Sequence, residues 1–374
     1  MKQLTMIQFY KYKLFVISAL SFLFGCMIAI NLYPIEKTCQ IDKNDREYSI
    51  MNNAKLKNPD LIIFILSAPK NLDRRNAIRE TWLKLKIHYP DVNNENVKFK
   101  IKHYFVIGSL GLSIDEVLHL SSEQSLHGDM LILPIQDSYK NLTYKVLKSF
   151  TWLREQTDFG LGFKYVLKCD DDSFVRIDSL AQEIMQIEIL YLKSEIDLNN
   201  LNANMSPYIK LNAQFNEKVA SDKFNLYWGY FNGNAKIKTS GKWKENNWIL
   251  CDNYIPYALG GGYIISKGLV KYLADNADNL RLYNSEDISV GAWLAPVNNV
   301  IRIHDIRFDT EWTTRGCQNY YLISHSHSIQ QIKKLYQNII ETGNLCDEEV
   351  VSRQHYLYNW LMPPSKCCRN NLKT

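Results

Sequence analysis

The chain has 374 residues, a net charge of +5, and 46% hydrophobic and 22% charged residues. This length allows about two domains or one large domain, and the composition is typical of a globular protein and not of a disordered chain. The small charge is spread along the sequence, so it gives no argument for a nucleic-acid partner, and we predict none.

An uncharged apolar stretch, Leu14–Tyr33, follows three lysines close to the N-terminus. About twenty residues are enough to span a bilayer at ~1.5 Å per residue. The preceding Lys2, Lys11 and Lys13 place the N-terminus in the cytosol under the positive-inside rule. A cleaved signal peptide is the alternative, but a small-x-small cleavage site would follow its shorter apolar core, where this chain has Leu32-Tyr33-Pro34. We therefore predict an uncleaved anchor.

The anchor predicts the organisation of the whole chain. The segment that follows it is polar and has no hydrophobic periodicity, which is typical of a stem. The bulk of the chain would then lie in the secretory lumen, which is an oxidising compartment. The predicted segments are a cytoplasmic tail 1–13, a transmembrane signal anchor 14–33, a stem 34–58 and a lumenal domain 59–374.

The cysteines are compatible with that compartment. Cys26 lies in the predicted anchor and an odd number remains, so at least one thiol is free or pairs with another chain. We predict a buried free thiol at Cys169, whereas Cys39 could be free or paired. No CxxC pair with histidine suggests zinc. Asn141 begins the sequence Asn-Leu-Thr, which predicts N-glycosylation at this residue.

Strand and helix patterns alternate through the first half of the chain. Leu61–Leu66 is a continuous apolar run, as expected for a buried strand, and Asp73–Lys86 repeats apolar residues at helical spacing. The alternation predicts βαβ units and a largely parallel sheet. The other predicted strands are Ile101–Gly108 and Met130–Pro134, and the other predicted helices are Ser113–Ser125 and Asn141–Glu155.

The helix predicted over Asp73–Lys86 begins with an unusual set of cations, Arg74, Arg75 and Arg79. Positive charge in the first turns of a helix opposes the helix dipole. A nearby anion such as a diphosphate would remove this conflict. Plain solvation of the three guanidinium groups is the alternative.

The most informative stretch is Tyr165–Val175, where a buried strand runs into Asp170, Asp171 and Asp172. Three adjacent carboxylates repel one another, and at the end of a buried strand they need a cation or hydrogen-bond donors. Hard divalent ions such as Mg²⁺ and Mn²⁺ bind a few carboxylates together with phosphate oxygens. The pattern therefore predicts a metal–nucleotide site at the carboxyl edge of an α/β sheet, with a solvated acidic turn as the alternative.

The next part of the chain carries weaker signals. Ile187–Lys223 is predicted to be an irregular insertion, because its Asn- and Lys-rich sequence has no clear periodicity. Trp228–Trp248 is rich in aromatic residues and glycine, and we predict a hairpin there. Its aromatic faces suit the apolar face of a sugar, and they equally suit a protein core.

Two later motifs suggest a pocket. Tyr254–Ser266 contains three consecutive glycines, which allow close approach to a ligand or simply a flexible turn. Glu286 and Asp287 precede an apolar helix, where they serve as a base at a pocket or only stabilise the helix N-terminus. His304, together with the pair at 325 and 327, supplies candidate metal ligands, and a structural role is the alternative for each.

Six motifs stand together in an order that resembles the inverting β-1,3-glycosyltransferases, galactosyltransferase family 31. They are RRNAIRETW at Arg74–Trp82, FVIG at Phe105–Gly108, DSYKNLTYK at Asp137–Lys145, KCDDDSFVR at Lys168–Arg176, PYALGGGYIIS at Pro256–Ser266 and SEDISVGAWL at Ser285–Leu294. Motifs at His304–Trp312, Arg315–His325 and Tyr358–Cys368 are similar to those of family members that build the glycosaminoglycan–protein linkage region. Tyr283-Asn284 departs from the Trp-His of those relatives.

The resemblance implies a fold and a set of site residues. The expected fold is α/β, a GT-A nucleotide-sugar-binding fold with a mixed, mostly parallel sheet, preceded by one transmembrane helix. Asp287 matches the general base of the family, and the implied metal ligands for Mn²⁺ are Asp170, Asp172 and His325. The implied UDP-sugar contacts are Arg75, Arg79, Asp137, Lys145, Asp170 and Asp171. The implied acceptor contacts are Trp228, Gly261, Gly262 and Glu286.

The resemblance also implies an activity and a location. The expected enzyme transfers galactose from UDP-galactose to the 3-hydroxyl of a galactosyl-xylose acceptor on a proteoglycan core protein. It would be a single-pass type II protein of the Golgi membrane, with its catalytic domain in the lumen. One alternative is the same reaction with UDP-N-acetylglucosamine or with another acceptor. A remote alternative is an inactive, membrane-anchored, lectin-like protein.

Overall fold

The computed structural model describes residues 58–87, 98–192 and 225–368. The predicted tail, anchor and stem lie outside these ranges, as does most of the predicted insertion at 187–223. Within the described residues, every helix is too short or too polar to cross a bilayer. The transmembrane prediction for 14–33 therefore stays a prediction.

A seven-stranded sheet forms the centre of the described structure, in the order β3-β2-β1-β4-β7-β6-β8. β7 runs antiparallel to both of its neighbours, and all the other pairings are parallel. The mixed, mostly parallel α/β sheet predicted from the sequence is therefore confirmed. The strands are β1 Leu61–Leu66, β2 Ile101–Leu110, β3 Met130–Gln136, β4 Tyr165–Asp170, β6 Asn225–Asn232, β7 Tyr257–Ser266 and β8 Val300–His304.

Helices cover both faces of the sheet, which explains why β1 and β4 are apolar without alternation. Ile63 of β1 packs in the core on one face and Phe64 in the core on the other, and both are almost fully buried. Strands enclosed on both sides lose the polar face that one-sided sheets keep. The helices are α1 Leu72–Glu80, α2 Ile114–His127, α3 Leu142–Asp158, α4 Ile177–Leu192, α5 Lys267–Asp275, α6 Glu286–Leu294 and α7 Ile329–Thr342.

A small second sheet lies beside the end of β4. It consists of β5 Phe174–Val175, β11 Ile323–Ser324 and β9 Phe308–Asp309. β11 pairs antiparallel with β5, so that Ser324 lies opposite Phe174. This pairing carries the chain that follows β11 to the acidic triplet that follows β4. The remaining pair of short strands is β10 Gly316–Cys317 with β12 Val350–Val351.

Three sequence predictions differ from the observed elements. The hairpin predicted over Trp228–Trp248 is wrong, because β6 pairs with β7 and β8 and the chain beyond Asn232 is mainly loop. The helix predicted over Asp73–Lys86 ends at Glu80 and is followed by a 3₁₀ turn at Trp82–Lys84. The third strand extends through Pro134 to Gln136, because a proline is tolerated on an edge strand such as β3.

The described cysteines form two disulfides, Cys317–Cys346 and Cys367–Cys368. Cys169 is free and buried, as predicted, and Cys251 is free and exposed. Burial raises the pKa of the Cys169 thiol, so this thiol is neutral and unreactive near neutral pH.

Candidate active site

A large cavity opens at the carboxyl ends of β1 and β4, with a volume of about 1240 Å³. Loops after parallel strands meet at this edge, where open α/β sheets place their ligands. The cavity is lined by most of the residues that the sequence analysis selected. These are Asp137, Lys145, Asp170, Asp171, Asp172, Gly261, Glu286, Asp287 and His325.

Asp170, Asp172 and His325 form a cluster in which one ligand atom from each residue lies within 4.8 Å of the others. Nε2 of His325 is 3.1 Å from Oδ1 of Asp172 and 3.6 Å from Oδ2 of Asp170. The backbone holds this arrangement, because His325 N donates to Asp309 O and His327 N donates to Asp172 O. The small sheet thus brings together three groups that could hold one cation.

The cluster fits a hard divalent cation. Oδ1 of Asp172 is buried, and its polar neighbour within the described structure is Nε2 of His325 at 3.1 Å. Carboxylate oxygens with one imidazole nitrogen are a suitable ligand set for Mn²⁺. Burial acts to lower the pKa of His325, but the two carboxylates outweigh it and raise the pKa to about 10. The same surroundings that retain a proton on this imidazole attract a metal ion.

Asp171 faces a different direction from its neighbours. Its Oδ2 accepts hydrogen bonds from Ser67 Oγ at 2.7 Å and Asn71 Nδ2 at 2.8 Å. Burial raises the pKa of Asp171, and these two donors partly oppose that effect. Asp171 therefore joins the end of β4 to the loop after β1 and does not belong to the cation cluster.

The consecutive glycines of β7 allow side chains of the cavity to lie close to the strand's backbone. A Cβ on Gly261 would lie 2.7 Å from Cγ of His325, so any side chain there would displace the imidazole. The neighbouring Gly260 N donates to Oδ2 of Asp287 at 3.0 Å. Two consecutive residues of one strand therefore touch the cation cluster and the predicted base.

Asp287 lies at the start of α6 and accepts hydrogen bonds from the backbone N–H groups of Gly260 and Ile288. Burial raises its pKa to about 7, the nearby Glu286 charge adds to this, and Lys168 opposes it. A carboxylate with a pKa near the working pH is suited to accept a proton from a sugar hydroxyl. The geometry thus agrees with the base role predicted for Asp287.

Glu286 and Asp170 are joined by Lys168, a residue that the sequence analysis did not select. The ammonium group is 2.9 Å from Oδ1 of Asp170, 3.0 Å from Oε2 of Glu286 and 2.6 Å from Gly260 O. All three of its donors are used, and the side chain is 1% exposed. Lys168 thereby holds the cation side and the base side of the cavity in one network. A lysine within an otherwise apolar strand signals such a partner, because a buried charge needs one.

We predict that transfer activity rises with pH along a limb centred near pH 7, because Asp287 must lose its proton to act. An ordinary aspartate, with a pKa of 3.8, would give a limb some three pH units lower. Since the folded pKa is the higher one, this carboxyl also contributes less to stability as pH rises from about 4 through about 7. The check is kcat/KM for the acceptor between pH 5 and 9 at saturating Mn²⁺ and donor. A limb below pH 5 would contradict the role of Asp287.

Asp137 and Lys145 contribute a second wall of the cavity. Lys145 Nζ is 2.8 Å from Oδ2 of Asp137 and 2.5 Å from Ser67 O, while Gly108 N donates to the same Asp137 oxygen. Burial lowers the pKa of Lys145, although Asp137 partly opposes this. The pair joins the loop after β1, strand β2 and the loop after β3 along the side where a donor would lie.

The arginines predicted to contact the UDP-sugar do not line the cavity. Arg75 is fully buried and binds both oxygens of Glu123, and Arg79 binds Glu123 and Asp129. These acids lie on and just after α2, so these two guanidinium groups are neutralised by protein carboxylates and not by a diphosphate. Nη1 of Arg75 also donates to Ala68 O at 2.6 Å, which shapes a loop that does line the cavity. The two arginines are positioning residues.

We predict that Arg75→Met lowers the free energy of unfolding by about 3 kcal/mol, because it breaks a buried ion pair and leaves loop carbonyls unpaired. A matched control is Arg154→Met, whose partner Asp158 has a 66% exposed side chain. That change should lower the free energy of unfolding far less than Arg75→Met does, because exposed ion pairs contribute little to stability. Urea unfolding of both variants is the measurement, and equal losses would contradict a structural role for Arg75.

Two predicted acceptor contacts also lie elsewhere. Trp228 is fully buried in β6, where its Nε1 donates to Asp305 and its ring packs on Phe308. Gly262 packs against Ile323. Both are core residues, so the prediction that they touch an acceptor is corrected. Alternation along a strand places only some members of an aromatic or glycine run at the cavity.

The other histidines and the glycosylation sequence have ordinary local surroundings. Both ring nitrogens of His304 bond to backbone groups, and Nε2 of His327 lies 2.8 Å from Ser324 Oγ, so neither joins the cation cluster. Asn141 Nδ2 donates to Gln136 O, and Thr143 Oγ1 is buried against Tyr283 O. A glycan on Asn141 would have to be attached before Thr143 is buried, and its presence stays a prediction.

The profile of the family described as Galactosyltransferase matches residues 73–305, from the start of α1 to the residue after β8. The chain belongs to the galactosyltransferase family. The resemblance inferred from the motifs is thereby confirmed, and this galactosyltransferase is a hexosyltransferase with a sugar donor and a glycan acceptor. The matched segment contains the acidic triplet, Lys168 and Asp287, whereas His325 lies beyond it.

Individual relatives agree with this assignment. The galactosyltransferase is 40% identical over 312 residues to beta-1,3-galactosyltransferase 6 of Mus musculus, a match that covers 83% of this chain and 82% of the relative. It is 28% identical over 292 residues to hydroxyproline O-galactosyltransferase GALT6 of Arabidopsis thaliana, covering 76% and 35%. It is 29% identical over 227 residues to UDP-GalNAc:beta-1,3-N-acetylgalactosaminyltransferase 2 of Homo sapiens, covering 61% and 37%. The chain spans little more than a third of the length of the last two.

Proposed function

We propose that this protein is an inverting β-1,3-galactosyltransferase. It transfers galactose from UDP-galactose to the 3-hydroxyl of a galactosyl-xylose acceptor in the glycosaminoglycan–protein linkage region. The reaction type is supported by one cavity that has the cation cluster on one side and, on the other, the half-buried carboxylate of Asp287 with a pKa near 7. The donor and linkage are supported by the name of the mouse relative, which matches most of both chains. The acceptor is supported by the C-terminal motifs.

The acceptor half of the reaction rests on Asp287. Its carboxylate accepts the proton of the acceptor's sugar hydroxyl. The oxygen of that hydroxyl then attacks the anomeric carbon of the donor sugar on the face opposite the nucleotide. The backbone N–H groups of Gly260 and Ile288 hold the carboxylate in place. Glu286 lies beside it, paired with Lys168 and with the hydroxyl of Tyr263, and positions α6 at the cavity. No second carboxylic acid is needed for the leaving group, in contrast to glycoside hydrolysis.

The donor half rests on the cation cluster. Asp170, Asp172 and His325 would hold Mn²⁺, which supplies positive charge to the departing diphosphate when bound. Burial acts to raise the pKa of Asp170, but Lys168 and His325 outweigh it and hold that pKa well below the usual range. Asp170 is therefore ionised and available as a ligand throughout the working pH range. Lys145 and Asp137 form the neighbouring wall of the cavity on the donor side.

We propose the same segments for the whole chain that the sequence analysis predicts. We assign the described residues to a GT-A catalytic domain within 59–374, supported by the mostly parallel sheet and by the ligands at its carboxyl edge. The apolar stretch 14–33 would anchor the protein in the Golgi membrane, with residues 1–13 in the cytosol and 34–58 as a stem. The two disulfides in the described residues fit a lumenal domain.

An activity matrix tests the proposal. Purified full-length protein is incubated with Mn²⁺, each of UDP-galactose, UDP-N-acetylglucosamine and UDP-N-acetylgalactosamine, and either a galactosyl-xyloside or a simple galactoside. We expect UDP release with UDP-galactose and the galactosyl-xyloside, and a β-1,3 linkage in the product by NMR. Preference for another donor or acceptor would support a different family reaction. Binding of glycan without turnover of any donor would support the lectin-like alternative.

A further inference from the structure

An aromatic pair stands at the mouth of the cavity and has no part in the chemistry described above. The rings of Trp243 and Trp312 meet edge to face, with centroids 5.2 Å apart. Lys242 Nζ lies 4.5 Å from the centre of the first ring and 4.3 Å from the centre of the second. Trp312 nevertheless stays 62% exposed while it lines the cavity. A large indole that is held in place but left uncovered is suited to receive a ligand.

Trp312 is anchored to the cation side of the cavity. Ser326 Oγ lies 3.5 Å from Trp312 O, next to the candidate ligand His325. Arg353 binds the carboxylate of Glu311 and the carbonyl of Thr313, which fixes the residues on either side of the indole. This segment is therefore tied both to the cation cluster and to the C-terminal part of the described chain.

Trp243 is anchored to the base side. Asn284 Nδ2 donates to Lys242 O and to Lys244 O, each at 3.1 Å, and Asn284 N donates to Glu245. Asn284 lies just before α6, the helix that begins with Glu286 and Asp287. This residue departs from the family pattern in the sequence, and here it holds the loop that carries Trp243.

The contact between the two indoles therefore joins the donor side to the base side across the cavity mouth. An acceptor must approach between these sides, because its hydroxyl has to reach Asp287 and attack the sugar of the donor. The C–H face of a pyranose is apolar and packs well on an indole, whereas its hydroxyl groups stay in contact with solvent and polar side chains. A charged or flexible side chain at this position would not offer such a surface.

We propose that the exposed face of Trp312, braced by Trp243, is a subsite on which a neutral sugar ring of the acceptor glycan stacks. This subsite rests on the proposed glycosyltransfer and adds the residue that selects the acceptor. It acts on acceptor binding and not on the donor, because the indole lies outside the cation cluster.

Steady-state kinetics of the full-length protein test the subsite, with UDP-galactose and a galactosyl-xyloside varied in turn. Trp312→Ala should raise the acceptor KM about tenfold and leave the donor KM within about twofold. Trp312→Phe keeps an aromatic face and should restore most of the affinity. Phe159→Ala is the matched control, because Phe159 is 84% exposed and does not line the cavity. A rise in donor KM alone, or no change in either KM, would overturn the proposal.

Saturation-transfer NMR separates this proposal from the proposed function. The galactosyl-xyloside is added to the protein without donor, and transfer to the C–H protons of its rings is measured for the wild-type protein and for Trp312→Ala. Trp312-dependent transfer in a protein that turns over no donor would uphold the subsite and refute the proposed function. Turnover with unchanged transfer in the variant would uphold the function and refute the subsite.

Discussion

Replacement of Asp287 by Asn should lower kcat by about a thousandfold while UDP still binds in the presence of Mn²⁺. The amide has almost the same shape but cannot accept a proton, and a positioned general base contributes on the order of 10²- to 10⁴-fold. The cation cluster lies on different elements, the ends of β4 and β11, so donor binding should persist. Calorimetric titration of UDP and single-turnover rates measure the two effects separately.

Asp287→Glu is the control for that experiment. It keeps a carboxylate but moves it by one methylene, so it should retain more activity than the amide and still show a rise of activity with pH. Activity of Asp287→Asn equal to the wild-type protein would remove the base assignment. Loss of UDP binding in the same variant would mean that the substitution disturbs the whole cavity, for example through the bond from Gly260 N.

Replacement of Asp172 by Ala should reduce the affinity for UDP in the presence of Mn²⁺ about a hundredfold or more. Oδ1 of Asp172 is buried beside Nε2 of His325, and a metal ion bound by both would replace the proton that this imidazole otherwise keeps. Without Asp172, two ligands remain, and His325 loses the nearer of its two carboxylates. The measurement is UDP binding with and without Mn²⁺, together with Mn²⁺ binding followed by electron paramagnetic resonance.

The neighbouring Asp171 offers a comparison within the same triplet. Asp171→Asn preserves an acceptor for Ser67 and Asn71, so it should change Mn²⁺ affinity less than tenfold. Asp171→Asn should therefore lower the affinity for Mn²⁺ much less than Asp172→Ala does. The reverse ranking, with the larger loss in Asp171→Asn, would mean that the cation lies on the other side of β4.

The central strands could be predicted because each one is marked by a continuous apolar run in its own sequence. Leu61–Leu66 and the strand before Asp170 are apolar on both faces, and only strands enclosed by helices have that pattern. The acidic triplet could be placed at the cavity for the same reason, since it directly follows such a strand. His325 could be preferred to His304 and His327 only through the family resemblance, because the pairing of β11 with β5 is a long-range contact that no local pattern records.

Other residues could not be assigned because their partners lie far away in sequence. Arg75 looks like an anion ligand until Glu123 of α2 is seen to bind it. Trp228 looks like a sugar contact until its side of β6 is known. Lys168 and Trp312 were missed for opposite reasons. The first lies in a strand that otherwise seems to be plain core, and the second belongs to a loop whose position depends on Ser326 and Arg353.

The position of His325 in the chain has a consequence for biosynthesis. Every strand of the central sheet is encoded before this histidine, so a ribosome that stops after β8 releases a polypeptide with all seven strands but an incomplete ligand set. Such a fragment could not hold the cation through all three groups, however well its sheet assembled. Nucleotide-sugar binding through these three groups would therefore require that translation has passed His325, and stop codons between β8 and this histidine should behave as null alleles.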